Sequence, residues 1–324
     1  MRIRPDLPEI HIAVSRRIDV DSIAVDNPLY YPIRCGAVFD TNSQSAFPGD
    51  DTGDSISEKR MSFCELTVQY WAWKNVRADY YGLCHYRRYL SFSDKQYRTN
   101  EHGLVSRPML NEKECKRFGL LDPLHMAEQI AKYDMIIPQA APVKRMPLPH
   151  GKANTVREMW LAHEGIFFAR GTVDSVLLLI RQHMPQYGPA AQAYFANPCH
   201  CGYNCYVMKK NLFDELCKLQ FGIMNVMQDD ADYPRARAYV GEMLFGVFCY
   251  YIRKRGNYRV AERQLVLFEH TTAVQNYRER ATCYLQSWVN QMVRSVVKPI
   301  FPLGSKRREC AKAIYFRVIH KNTQ

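Results

Sequence analysis

The sequence predicts a three-layer α/β domain followed by a basic helical appendage. Three observations carry this. Short apolar strands alternate with amphipathic helices over residues 1–270, no internal repeat or low-complexity tract interrupts them, and the positive charge collects beyond them. With 324 residues, 47% hydrophobic and 23% charged, the chain has material for one large unit with a sizeable core. The division that follows is a domain over 1–270 and an appendage over 271–324, broken at Pro299 and at Pro302-Leu303-Gly304.

Residues 9–14, EIHIAV, alternate as a half-buried strand does, and 33–39 read as a second strand running into an acidic, Gly-containing loop over 40–54. Ser55 and Glu58 fit the Ser-x-x-Glu capping box, in which each side chain satisfies a backbone N–H at a helix start. Phe63, Leu66, Tyr70 and Trp73 then recur at steps of three and four, giving that helix one apolar face up to Lys74-Asn75. Residues 80–84, YYGLC, form a buried strand that stops against His85-Tyr86-Arg87-Arg88-Tyr89. Residues 94–120 read as polar and irregular. A helix around 123–132, a strand at 135–138, helices within 155–195, a strand at 203–208, helices at 211–228 and 239–254 and a closing strand at 258–268 complete the domain.

The net charge of +12 admits nucleic acid, an anionic membrane or a phosphorylated ligand as partner. Position decides among them. From Arg294 onward there are eight basic residues and one acid, Glu309, so +7 of the +12 lies in the last tenth of the chain. The body lacks the basic stripe that nucleic-acid binding needs, and no nucleic-acid partner is expected. Eleven cysteines without a regular framework, residues 1–5 without an apolar signal core, and no run of about 18 apolar residues point to reduced thiols in the cytoplasm.

Four groups of residues can carry chemistry. The loop Asp50-Asp51-Thr52-Gly53-Asp54 feeds a helix N-terminus, where free N–H groups and the dipole favour an anion, with Lys59 as an added cation. A solvated turn before an ordinary cap is the competing account. His85, Arg87 and Arg88 follow a buried strand, the place where open α/β sheets bind ligands, and a guanidinium matches phosphate oxygens with a fork of donors. The third group is Arg235, Arg237 and Tyr239-Val240-Gly241-Glu242, in which Glu242, near the start of an apolar helix, can serve as a general base or simply stabilise the helix. Cys199-His200-Cys201 with Cys205 offers soft ligands, but the Cys-x-Cys spacing is tighter than zinc sites use. The run Asp229-Asp230-Ala231-Asp232 follows a helix rather than a strand and reads as a solvated turn.

The blocks DDTGD (50–54), ISEK (56–59), CELT (64–67), YWAWKN (70–75) and GLCHYRRY (82–89) resemble the signature of a bacterial family of capsule and exopolysaccharide clusters, long labelled a domain of unknown function. Its members are described as glycosyltransferases, some as galactofuranosyltransferases. Weaker similarity extends to about residue 268, with Ala238 where the family has Gly, Cys205 where it has Met, and Ser55 and Arg60 where it has Asn. The resemblance implies a GT-A-like fold with a central mixed sheet, a nucleotide-sugar donor with a UDP-sugar foremost, and a lipid-linked saccharide acceptor for capsule, exopolysaccharide or O-antigen. It implies donor-diphosphate contacts from Asp51, Asp54, Ser57, Glu58, Lys59, His85, Tyr86, Arg87 and Arg88. It places His163, Asn204 and Arg237 at or behind the acceptor, with Glu242 as the catalytic base. Such a fold usually sets a metal-binding Asp-x-Asp after a central strand. His85-Tyr86-Arg87 stands there, so the expectation is cationic side chains in place of a metal, with manganese or magnesium the alternative.

The appendage suits a peripheral enzyme on the inner face of the plasma membrane. Residues 306–321 can form a helix with Cys310, Ala311, Ile314, Tyr315 and Val318 on one side, edged by Lys306, Arg317 and Lys321. Residues 294–321 are thus the expected contact with anionic lipid. The rival accounts are a non-catalytic carbohydrate-binding or scaffold protein, a nucleic-acid binder and a zinc enzyme.

Overall fold

A computed structural model describes residues 2–41, 46–149, 151–228, 230–274, 277–301, 305–307 and 310. Its centre is a nine-stranded mixed sheet. β1 (Ile10–Arg17) lies between β2 (Tyr30–Cys35) and β3 (Tyr80–His85), parallel to both. The far side of β3 pairs with β9 (Tyr206–Lys209), antiparallel. β9 in turn pairs antiparallel with β6 (Met135–Pro138), which is therefore parallel to β3, and β10 (Val260–Arg263) adds beside β6. A short β4 (Arg88–Leu90) folds back on the end of β3 through His85 opposite Arg88. It leads through β11 (Leu265–His270) to β5 (Leu104–Met109). A separate pair joins β7 (Ala141–Pro142) to β8 (Cys199–His200).

Strand alternation sends neighbouring residues to two cores, one per face. Ala13, Tyr81, Leu83, Met135 and Met208 face α2 (Leu66–Asn75), α5 (Val156–Leu161), α6 (Thr172–His183), α7 (Gly188–Phe195), α8 (Lys210–Val226) and α9 (Ala236–Arg255). Ile12, Val14, Cys84, Ile136 and Val207 face α3 (Glu112–Arg117) and α4 (Pro123–Ala131). Helices, sheet and helices make the three layers expected. Buried side chains such as Phe213, Leu216, Phe245 and Phe248 each contribute about 1.5–3 kcal/mol by leaving water. At the sheet centre only glycine fits position 82, since a Cβ there would stand 2.8 Å from the Tyr206 carbonyl oxygen.

Several local expectations give way. The capping box does not form, because the Ser55 hydroxyl accepts from Ser57 N at 3.4 Å instead. The segment opens as a 3-10 turn at Ser57–Lys59, continues as α1 (Arg60–Phe63), breaks at Cys64 and restarts as α2. Residues 94–120 are not irregular: they hold β5 and α3, the latter capped by the Asn111 side chain on Glu114 N. The single closing strand is two, on opposite wings of the sheet. Between them buried Gln264 bonds both Tyr97 N and Tyr97 O, at 2.9 and 2.7 Å. The strand expected from 203 starts at Tyr206, and the helix expected from 239 starts at Ala236.

Beyond β11 the chain forms α10 (Tyr277–Ile300), which lies beside β5. This helix passes through Pro299, where a break was expected. Residues 302–304 and most of the helix read over 306–321 lie outside the described residues. Tyr284, Leu285, Trp288, Val289 and Met292 make an exposed apolar stripe along α10. No helix of the described residues is long and apolar enough to cross a membrane.

Candidate functional site

The carboxyl ends of β1, β3 and β6 and the amino end of antiparallel β9 share one edge of the sheet. Along this edge stand Arg17, then His85 to Arg88, then Tyr203 and Asn204, then Gln139 just past β6. The β3–β4 hairpin turns at Tyr86 and Arg87, so the two guanidiniums leave from a fixed backbone. Arg87 lies over the Tyr86 ring at 5.5 Å and Arg88 over the Tyr203 ring at 5.3 Å. The Nε of each is buried and unpartnered, and neither has a carboxylate at ion-pair distance among the described residues. Both side chains are half-buried, and two neighbouring guanidiniums placed so suit an anion.

His85 ends β3 on this edge, and it is not a cation. Burial, with Arg88, Arg87, Arg17 and Arg235 around it, drives its imidazole well below the usual histidine range. Its Nδ1 accepts from Arg87 N at 3.4 Å, which leaves Nε2 to carry the proton. Tyr86 is buried against the His85 ring at 4.2 Å, beside Arg17, and shapes the hairpin.

Across from the arginines stands Glu242. α9 starts six residues before it, so the helix dipole, which acts over the first turn, contributes little. Burial and the neighbouring Glu65 carboxylate raise its carboxyl from 4.5 to about 7, against the pull of Arg88 and Arg235. Glu65 is held by Asn204, whose Nδ2 donates to Glu65 Oε1 at 3.2 Å. Behind them Gln220 Nε2 donates to Gly241 O at 2.8 Å, and Gln69 Nε2 to Gln220 Oε1 at 2.6 Å, tying α9, α8 and α2 together. Arg235 Nε reaches Cys64 Sγ at 3.3 Å. Cys64 and Tyr203, the residues just before Glu65 and Asn204, have φ of +50° and +70° and are the two non-glycine residues in that region among those described. Strain of roughly 1–3 kcal/mol at each is the kind that active sites carry.

The acidic loop is a brace. Asp50 is fully buried and accepts from Gly36 N and Ala37 N, each at 3.0 Å, and from the Ser57 and Thr67 hydroxyls, each at 2.5 Å. Ser57 is thereby spent on Asp50 and is corrected from a phosphate ligand to a structural residue. Asp54 Oδ1 accepts from Tyr70 OH at 3.0 Å, and Thr52 Oγ1 from Trp71 Nε1 at 3.0 Å, so these α2 aromatics hold the loop. Asp51, Glu58 and Lys59 are exposed. Gly36, at φ +71°, lies against Arg60, which pairs with Asp19 at 3.0 Å.

Asn204 stands at this edge and holds Glu65. Arg237 spends its guanidinium on the carbonyls of Met224 and Met227, at 2.9 and 2.8 Å, clasping the end of α8, so its place is structural. His163 Nδ1 donates to Met159 O, 2.8 Å away, and its ring stacks on Phe167 at 5.0 Å, which stacks on Tyr239 at 4.7 Å. That column links it to Tyr239, which lies near Arg235 and Glu242. His200 Nδ1 meets Tyr194 OH at 2.8 Å, and no group of three or more His, Cys, Asp and Glu among the described residues is arranged for a metal. Asp229 lies outside the described residues. Sequence reading grouped Arg235 and Tyr239 with Glu242 but missed Glu65 and Tyr203 as members of the site. The available signal was that Glu65 follows Cys64 in a block already singled out.

Fold and site together define an α/β protein with an anion-ready arginine pair and a near-neutral carboxylate at the carboxyl edge of a mixed sheet. Over residues 11–254 the chain matches the family described as "Domain of unknown function (DUF4422)", and it belongs to that family. No curated protein matches the sequence. Among solved structures it is similar to the apo structure of WbbM, a bifunctional glycosyltransferase, at 24% identity and a TM-score of 0.71. The match covers 83% of this chain and 47% of that one, so the chain spans about half of that protein. The likeness shows a shared fold, the three-layer α/β sandwich with a mixed sheet.

Proposed function

We propose that this protein is a glycosyltransferase that moves a sugar from a nucleotide-sugar donor, a UDP-sugar foremost, to a saccharide acceptor on a lipid carrier in surface-polysaccharide synthesis. The observation that carries this is the Arg87 and Arg88 pair, without an ion-pair carboxylate among the described residues, on the edge where Arg88 acts on Glu242, whose carboxyl is pushed up to about 7. A departing diphosphate needs its growing charge neutralised, and an acceptor hydroxyl needs a base that is deprotonated near neutral pH. In the reaction this supports, Glu242 takes the acceptor proton as the acceptor oxygen bonds to the anomeric carbon. The bond from that carbon to the diphosphate breaks, and its electron pair leaves on the diphosphate, held by Arg87 and Arg88. Attack opposite the leaving group inverts the anomeric centre. Glu65 and Asn204 hold the base side; His85, neutral, is a hydrogen-bond donor through Nε2.

The residues at the position of a metal-binding Asp-x-Asp do not fit a divalent cation. Guanidiniums cannot ligate it, and the ring of arginines that discharges His85 would repel it. The arginines are proposed to take its place at the diphosphate. Exposed Trp288 and its apolar neighbours on α10, followed by the basic run from Arg294, support a peripheral place on an anionic inner-membrane surface.

The test is thermal stabilisation of purified protein by uridine, guanosine, cytidine and thymidine nucleotides and their sugars, with manganese and with chelator. Ligand at 100 times its dissociation constant adds about 2.7 kcal/mol of stability. A shift by one series that survives chelator supports the reading. A shift only with manganese overturns the cationic diphosphate site, and no shift from any series favours a non-catalytic scaffold.

A further inference from the structure

A cavity lies on the same edge of the sheet as the proposed transfer site. It has a volume of about 140 Å³ and is lined by Thr99, Asn100, Glu101, Gly103, Gln139 and Arg145, among others. Gln139 follows the carboxyl end of β6, so the cavity opens on the same edge of the sheet as the arginines, beyond the start of β9. One side chain stands between the two. Tyr203 donates from its hydroxyl to His102 O at 3.2 Å, in the loop that walls the cavity, while its ring takes Arg88 at 5.3 Å. Burial and the Glu242 carboxylate, then Glu101, act together on the Tyr203 hydroxyl, which places it between those two acids. Tyr203 is also one of the two strained non-glycine residues.

The walls show what such a space takes. Asn100 is spent on its own loop, accepting from His102 N and Leu104 N at 2.9 and 3.0 Å and donating to Ser106 Oγ at 3.0 Å, so the loop is rigid. Thr99, Glu101, Gln139 and Arg145 bring a hydroxyl, a carboxylate, a carboxamide and a guanidinium, a mixture of donors and acceptors suited to a polyhydroxylated ring. The volume is well under the 300–1,000 Å³ of a full ligand pocket, which fits one ring and not an oligosaccharide. A diphosphate is a poor occupant, because among the described residues Arg145 is the one cation of the lining and Glu101 opposes it.

We propose that this cavity is the subsite that seats the acceptor's terminal sugar, with Tyr203 the partition across which that sugar's hydroxyl is offered to Glu242. The inference rests on the transferase reading and adds the residues that choose the acceptor. It predicts that sugar recognition and donor recognition are separable, since they lie on opposite sides of Tyr203.

The experiment uses the full chain and a panel of p-nitrophenyl glycosides of galactose, glucose, mannose and N-acetylglucosamine, read by saturation-transfer NMR. Nucleotide stabilisation is measured in parallel. The wild type is expected to saturate the ring protons of one sugar. Gln139→Leu and Thr99→Val, which keep volume and remove polarity, are expected to cut that signal at least five-fold while keeping the nucleotide shift. Arg145→Ala, at an exposed position, is the second probe should either of these fail to fold, with the same loss expected. Undiminished signal in the folded variants would overturn the inference. So would a wild type that binds nucleotides but no glycoside of the panel, leaving the transferase reading intact. Binding of neither ligand would overturn both.

Discussion

Replacing Glu242 by glutamine should make the protein more stable at alkaline pH and less able to work. A carboxyl with an ordinary value of 4.5 that titrates at about 7 in the fold is a group that folding penalises once it ionises. The sign follows from linkage: between those two values the native state holds a proton that the unfolded state has lost, so stability falls as pH rises. The favourable contribution is whole below about 4.5 and is lost as pH passes about 7. A displacement of that size corresponds to about 3 kcal/mol. Glutamine keeps the shape and carries no charge. Glu242→Gln should therefore raise Tm by roughly 4 °C at pH 8.5 and by close to nothing near pH 4.5, on the usual scaling for a chain of this size. Scanning fluorimetry of both proteins from pH 4.5 to 8.5 reads the difference directly. In the same variant sugar transfer should fall by about 10²–10⁴-fold, the usual worth of a positioned base. Wild-type kcat should climb with pH through about 7 and level off. A Tm difference that does not grow with pH, or a variant less stable throughout, would refute the account of Glu242 as a charge that Glu65 and burial hold in check.

The remaining predictions concern its neighbours. Glu65→Gln removes the carboxylate that helps raise Glu242, so the pH midpoint of activity should move down; a midpoint that stays or rises contradicts the pairing. Arg87→Ala and Arg88→Ala should each weaken nucleoside-diphosphate binding by about 10- to 150-fold, the worth of a charged hydrogen bond, as measured by titration calorimetry. Asp50→Ala strips the acceptor from four donors, two of them backbone N–H groups at Gly36 and Ala37, and should cost at least about 3 kcal/mol in denaturant unfolding. Full-length protein should float with anionic liposomes more than a chain ending at Pro302, and Trp288→Ser should reduce flotation further; equal flotation of all three would rule out a membrane role for this end.

What the sequence determined by itself was what local chemistry repeats along a chain. The period-two and period-three-to-four patterns gave most strands and helices their place, and the buried YYGLC run ending in His85 and two arginines marked the edge where a ligand would sit. The DDTGD and CELT blocks fixed no roles, because a residue type does not say which way it faces. Only the tertiary structure decided that Asp50 and Ser57 are spent on each other, that Arg237 clasps a helix end, and that His85 is neutral among arginines. The charge state of Glu242 was likewise set by Glu65, 177 positions earlier in the chain, and by burial, not by its own helix. Desolvation and Coulomb energy depend on distances through space, and those are fixed only when α2, the β3–β4 hairpin, the start of β9 and α9 meet at one edge of the sheet.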